Sequence, residues 1–105
     1  LLLMDQSIAE PRSIRSLAGA AGLSTRQMER LFAEHFGATP AAVYMQIRLE
    51  AARWLLLNSD RPIAEIGAAA GFSNASHFSR RFRDVFDLSP TAIRRDGSPA
   101  RETAA

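Results

Sequence analysis

Gly67–Phe82 reads GAAAGFSNASHFSRRF, and much of it has already been spelled once, as AGAAGLSTRQMERLF at Ala18–Phe32. In each stretch a run of small residues meets a glycine (Gly22, Gly71), then a side chain able to cap a helix, then a longer apolar-periodic segment. The correspondence extends outward. Ile14 pairs with Ile63, Leu17 with Ile66, Gly22 with Gly71 and Ser24 with Ser73, all 49 residues apart. After one inserted residue the offset becomes 50, pairing Phe32 with Phe82, Phe36 with Phe86 and Pro40 with Pro90. Short helix, glycine turn, longer helix is the helix-turn-helix pattern. One copy describes many packed helix pairs; two copies with matched caps and proline stops are far more specific.

The rest of the chain agrees with an all-α fold. Sustained period-two alternation is missing, valine occurs only at Val43 and Val85, and helical periodicity runs throughout. Leu2, Leu3 and Ile8 predict a first helix ending before Pro11. Ser13 caps a second, with Ile14, Leu17, Ala18 and Ala21 inward, and Gly22 ends it. Ser24 and Gln27 have capping-box spacing at the head of a third, whose apolar stripe is Met28, Leu31, Phe32 and Phe36. Thr39-Pro40 starts a long helix running to about Ser59, with Val43, Ile47, Ala51, Trp54 and Leu55 on one side. After the turn Asn58–Pro62 the cycle repeats. Ile63, Ile66, Ala69 and Ala70 form a short helix. Ser73 or Asn74 caps a longer one carrying Phe78, Phe82, Val85 and Phe86, and Ser89-Pro90 opens a last short one. About seven helices result. Residues 1–38 hold the N-terminal helix and first unit, 39–59 the linker helix, 60–95 the second unit and 96–105 a disordered tail.

Composition limits the function classes. The chain of 105 residues has 47% hydrophobic content, enough for one packed domain. It has no cysteine, which removes disulfides, thiolate metal sites and a cysteine nucleophile and fits a reducing, cytoplasmic setting. Neither LLLM at Leu1–Met4 nor WLLL at Trp54–Leu57 approaches the ~20 residues of a membrane span. Position 1 is not methionine, which suggests a domain taken from a longer chain. All 13 basic residues are arginine, against 11 acidic ones. Arginine's planar five-donor fork suits phosphates and guanine edges, although a genome biased toward arginine would give the same composition.

The linker helix gives the doubling a purpose. About 20 residues at ~1.5 Å each make a rod of ~30 Å, close to the ~34–36 Å turn of B-DNA. Such a rod can hold two unlike reading helices in successive major grooves, over a non-palindromic site of about 20 base pairs. At about 100° per residue, Arg26 and Arg30 lie opposite the apolar stripe of the third helix, with Glu29 at its edge. On the matching later helix Ser76 and Arg80 lie opposite, flanked by His77 and Arg83. Thr25, Asn74 and the first-turn N–H groups can hold phosphates. Glu29 has two readings beyond plain solvation: acceptor for cytosine N4, or partner to Arg26 or Arg30.

These residues resemble the DNA-binding domain of the AraC/XylS transcription regulators over roughly Ser13–Arg95. The strongest part is Ile63–Arg94, where GF, S-HFSR-F and SP follow the family signature; STRQMERLFAEHFGATP with RLEAARWLLL is similar to the GlxA-like subgroup, which has an N-terminal amidotransferase-like sensor domain. The resemblance implies double-stranded DNA as partner, Arg26, Glu29 and Arg30 as base-facing in the first reading helix, and Ala75, Ser76, His77, Ser79 and Arg80 in the second. Ala75 stands where many members carry a polar group, so only its methyl is offered, to a thymine methyl. The resemblance further implies regulation of transcription initiation, contact with RNA polymerase, and an effector-sensing domain elsewhere in the parent protein.

Two rival classes, an enzyme and a helical protein-interaction module, fit the sequence less well. Ser73 and His77 are four apart, but no oxyanion hole or carboxylate orienter accompanies them. His35 aligns with Val85 on the inward side of its helix and is expected to be partly buried. No cofactor or metal is implied. The second rival is a helical protein-interaction module, with LLLM as its candidate apolar face; that segment is instead expected to pack on the first unit.

Overall fold

A computed structural model, which describes residues 1–96, places seven helices along the chain. They are α1 Leu2–Gln6, α2 Ile14–Ala20, α3 Thr25–Phe36, α4 Pro40–Asn58, α5 Ile63–Ala69, α6 Ala75–Phe86 and α7 Pro90–Asp96. Asp96 closes α7, and the rest of the expected tail lies outside the described residues. Among the described residues there is no strand, and no helix is long and apolar enough to cross a membrane.

The doubled motif is doubled down to its hydrogen bonds. Gly22 and Gly71 take left-handed φ values of 74° and 89°, open to glycine without a Cβ penalty. At the end of α2, the Gly22 N–H donates to Gly19 O at 3.0 Å and the Leu23 N–H to Ala18 O at 2.8 Å. At the end of α5, the Gly71 N–H donates to Ala68 O at 3.0 Å and the Phe72 N–H to Gly67 O at 3.0 Å. Both are Schellman ends, each with an apolar residue just beyond the glycine folding back onto the core. Leu23 packs on the first cluster and Phe72 lies in the second. Leu23 takes the interior place expected of Ala21, which is exposed in the turn. Ser24 caps α3 with the full capping box, its hydroxyl accepting from the Gln27 N–H while the Gln27 side chain accepts from the Ser24 N–H. Asn74, rather than Ser73, caps α6. The inserted residue therefore falls before the cap, and the two longer helices are in register 50 residues apart.

Two separate cores form, and α4 walls both. Met4, Leu17, Ala18, Met28 and Tyr44 make the first; Leu49, Ala52, Leu56, Ile66, Ala70, Phe72, Phe78, Phe82 and Ile93 make the second. On α4, Val43, Tyr44 and Ile47 serve the first unit, while Met45, Leu49, Ala52 and Leu56, with Leu55 and Leu57 at the edges, serve the second. The two sets lie roughly 160° apart around the helix at about 100° per residue. A single apolar stripe was the wrong expectation for this helix. Trp54 continues the first unit's face past the point where that unit ends, and it is 63% exposed.

Other sequence expectations shift for a similar reason. The last turn of α3 overhangs the packed region, and on the last turn of α6 Phe86 packs on the second core as expected while Val85 turns outward. Phe36 is 49% and Val85 37% exposed, and His35 is exposed rather than partly buried. At the N-terminus, α1 is shorter than expected and Ile8 lies in the connector after it. Met4 fills the first core, as expected of LLLM, while Leu1 and Leu2 stay exposed.

The two units also meet directly. Arg48 lies on α4 between its two apolar faces. Its Nε donates to Ala70 O at 2.9 Å and its Nη2 to Gly71 O at 3.0 Å. Its guanidinium lies 4.4 Å from the Phe72 ring centroid and 5.9 Å from that of Tyr44. Burial lowers the Arg48 pKa from the usual arginine value, and Tyr44 opposes that shift. One turn back, the Tyr44 hydroxyl donates to Ser7 O and accepts from the Arg12 N–H at 2.9 Å. Gly71 lies so close to the Ile8 carbonyl and the Pro11 ring that a Cβ there would overlap both. Farther along, Arg94 of α7 donates to Leu56 O, Ser59 O and Arg61 O, closing the C-terminal end of α4.

The buried pairs differ in size between units: Ala18 and Met28 in the first correspond to Gly67 and Phe78 in the second. A Cβ on Gly67 would come 2.9 Å from Phe78 Cδ2. Gly67→Ala is therefore expected to cost about 1–3 kcal/mol by overpacking, and Asn74→Ala about 1 kcal/mol by loss of the cap. Trp54→Ala should stay within about 0.5 kcal/mol. Urea unfolding of the three variants checks the order.

Candidate nucleic-acid interface

The exposed sides of α3 and α6 are defined by what their other sides bury. On α3, Met28 is 6% exposed and Phe32 packs on the same core. Arg26, Glu29 and Arg30 are exposed on the remaining arc, and Thr25 is half-buried in the first turn. Among the described residues no ion pair joins Glu29 to Arg26 or Arg30. Its carboxylate thus stands beside two arginines without being committed to either.

On α6, Phe78 and Phe82 are fully buried, their rings 5.7 Å apart between centroids. Ala75, Ser76, His77 and Arg80 are exposed and Ser79 is half-buried. Four of these five, Ala75, Ser76, Ser79 and Arg80, line one open concavity of ≈ 450 Å³, whose wall is completed by Arg83, Asp84 and Ser89. The Asp84 carboxylate is 3.7 Å from Arg81, which turns it toward a neighbour outside the concavity. Ser89 is occupied as the cap of α7, accepting from the Ala92 N–H at 3.1 Å. His77 stands apart from the concavity. Its ring meets Phe72 edge-on at 5.4 Å, so this exposed imidazole is also a brace between the turn and α6.

Of the phosphate candidates, Thr25 and Asn74 stand at helix beginnings, while Arg83 is exposed in the last turn of α6. Asn74 Oδ1 is used internally, accepting from the His77 N–H at 2.9 Å. Thr25 is the first residue of α3 and Ala75 the first of α6. Caps and first residues alike are 50 apart, so Arg30 and Arg80 occupy the same place on their helices, as do Arg26 and Ser76, and Glu29 and Ser79. The first face carries two arginines and a carboxylate; the second carries hydroxyls, a methyl, an imidazole and one arginine. Among the described residues no group of three or more His, Asp or Glu side chains is placed to hold a metal ion.

Sequence reasoning missed Arg48, Tyr44 and Arg94. None lies on the exposed faces of α3 and α6, and each acts through backbone groups or rings far along the chain, Arg48 at 22 and 23 residues and Arg94 at 33 to 38. The available signal was an arginine on α4 between two apolar residues, Ile47 and Leu49, and four residues after a tyrosine.

Comparison with known proteins supplies the family. The model of a helix-turn-helix domain matches residues 17–96. The regulator GlxA of Rhizobium meliloti is 41% identical over 92 residues, covering 88% of this chain and 28% of that protein. A transcriptional regulator from Chromobacterium violaceum with an AraC-type DNA-binding domain superposes with a TM-score of 0.84 at 40% identity, over 90% of this chain and 88% of that one. The DNA-binding domain of the global transcriptional factor AdpA, solved in complex with a target DNA, gives a TM-score of 0.83 at 27% identity, over 89% of this chain and 84% of that one. The chain spans about a third or less of the length of the curated relatives it matches. With the paired units, shared central helix and matched hydrogen bonding in place, the chain belongs to the helix-turn-helix DNA-binding domains of AraC/XylS-type transcriptional regulators.

Proposed function

We propose that the chain reads double-stranded DNA with α3 and α6 in successive major grooves. The observation that carries this is the equivalence of the two helices, capped alike, in the same register and packed against one rod. The rod, α4, has 19 residues, about 28 Å at ~1.5 Å per residue. The molecule's longest dimension is 42 Å, enough to span one ~34–36 Å turn of duplex.

In this reading residues 1–38 hold the N-terminal helix and the first unit, 39–59 the linker helix and 60–95 the second unit. Arg26, Glu29 and Arg30 face bases in one groove; Ala75, Ser76, His77, Ser79 and Arg80 face them in the next. Thr25, Asn74 and Arg83 lie along phosphates. For Asn74 the contact uses its amide nitrogen, because Oδ1 holds the cap. Glu29 accepts from a cytosine amino group, with Arg26 and Arg30 offsetting its repulsion by phosphate. The parent protein is a longer, effector-responsive regulator of the bacterial cytoplasm. Its N-terminal region senses the effector, and the complex at the promoter contacts RNA polymerase.

Selection of bound duplexes from a random pool should enrich two unequal blocks about one helical turn apart. Arg30→Ala and Arg80→Ala should each relax preference at one position of one block, by about 1–3 kcal/mol of discrimination; retained preference in both variants would reject the assigned faces. Affinity should fall steeply with salt, with log K linear in log salt concentration. A salt-insensitive association would instead favour an apolar protein contact.

A further inference from the structure

We propose that Arg48 is a positioning residue that sets the spacing and twist at which the two DNA blocks are accepted. The inference rests on the reading of α3 and α6 as paired readers. Arg48 touches neither reading face; it acts on the junction between the units.

Three observations converge there. The two guanidinium hydrogen bonds end on Ala70 O and Gly71 O, the turn that aims α6. The same guanidinium covers Phe72, whose ring meets both His77 and Phe78 on α6, at 5.4 and 5.3 Å. On its other side Gly71 rests against Ile8 and Pro11, in the connector that precedes the first unit. The turn is thus held between a fork from α4 and a wall from the connector between α1 and α2. Removing the fork while keeping the stem beside Phe72 and Tyr44 takes away two hydrogen bonds and no apolar core residue. It frees the angle between the units.

The physical consequence follows from helix geometry. Lengthening the spacer by one base pair moves the second block by about 3.4 Å and rotates it by about 35°. A stiff pair of readers cannot follow, and a loose pair can. Stiffness concentrates the second reader at one place, so it raises effective concentration for the matched spacing and lowers it for every other. Loosening should therefore reduce affinity at the matched spacing while flattening the penalty at the rest. A general loss of stability would lower all spacings together.

The test uses the 105-residue chain, duplexes bearing the two selected blocks at spacers changed by one and two base pairs, and a duplex bearing the first block alone. The native chain should lose about tenfold or more per base-pair step, the scale of a mismatched pair. Arg48→Met, which keeps the stem and removes the fork, should lose about tenfold at the matched spacing and clearly less per step. Its affinity for the single block should equal the native one. Arg48→Lys, a point charge in place of the fork, should fall between them and carries the comparison if the methionine variant does not fold. The chain has no cysteine, so spin labels at Ala33→Cys and Asp84→Cys give a distance distribution that should broaden in Arg48→Met without DNA. A native spacing preference that survives Arg48→Met unchanged in shape, or a variant that weakens single-block binding as much as paired binding, overturns the inference alone. A native chain indifferent to spacing overturns the two-groove reading and this inference with it.

Discussion

One helix has to be the wall of two cores. On α4 the residues serving the first unit and those serving the second point in nearly opposite directions, so the helix is gripped from two sides. Burying apolar area at ~25 cal/mol per Å² therefore draws both units onto the same rod. Their separation along the chain becomes a fixed separation in space. Everything proposed about paired reading depends on this sharing. Two units joined by a loop would have the same faces and no defined distance.

The aim of each reading helix is settled more locally. A left-handed glycine and two backbone hydrogen bonds end the short helix, one apolar residue plugs the core, and a side-chain cap starts the long helix. Each step leaves few alternatives for the direction of the next. The seam then joins the two local solutions: Tyr44 holds the connector after α1, while Arg48 holds the turn before α6. Both side chains are on α4, four residues apart, so the rod also carries the fasteners.

Much of this is legible in the sequence because it is local. Gly22, Gly71, Ser24 with Gln27, and the Thr39-Pro40 and Ser89-Pro90 starts act within a few residues of themselves, and each marks the boundary it predicts. The arcs bearing Arg26, Arg30 and Arg80 are likewise readable, because Met28, Phe78 and Phe82 fix the opposite sides. What escapes is what depends on a distant partner. Trp54 fits the periodicity of one face of α4 but has no unit to cover it. His35 sits at an inward angle on a turn that extends beyond its core. Arg48 looks like one more solvated arginine until residues 22 and 23 positions away are brought to it.

The unequal fit of Ala18 with Met28 and Gly67 with Phe78 has an evolutionary corollary. Apart from His77, whose ring meets Phe72, the exposed arcs of α3 and α6 can drift one substitution at a time, with little inside the molecule to accommodate the change. The interiors cannot: a methyl gained at Gly67 demands a smaller ring at Phe78, and the compensating pair is different in the other unit. New operator preferences are thus open to stepwise descent, while the two halves have become non-exchangeable spare parts.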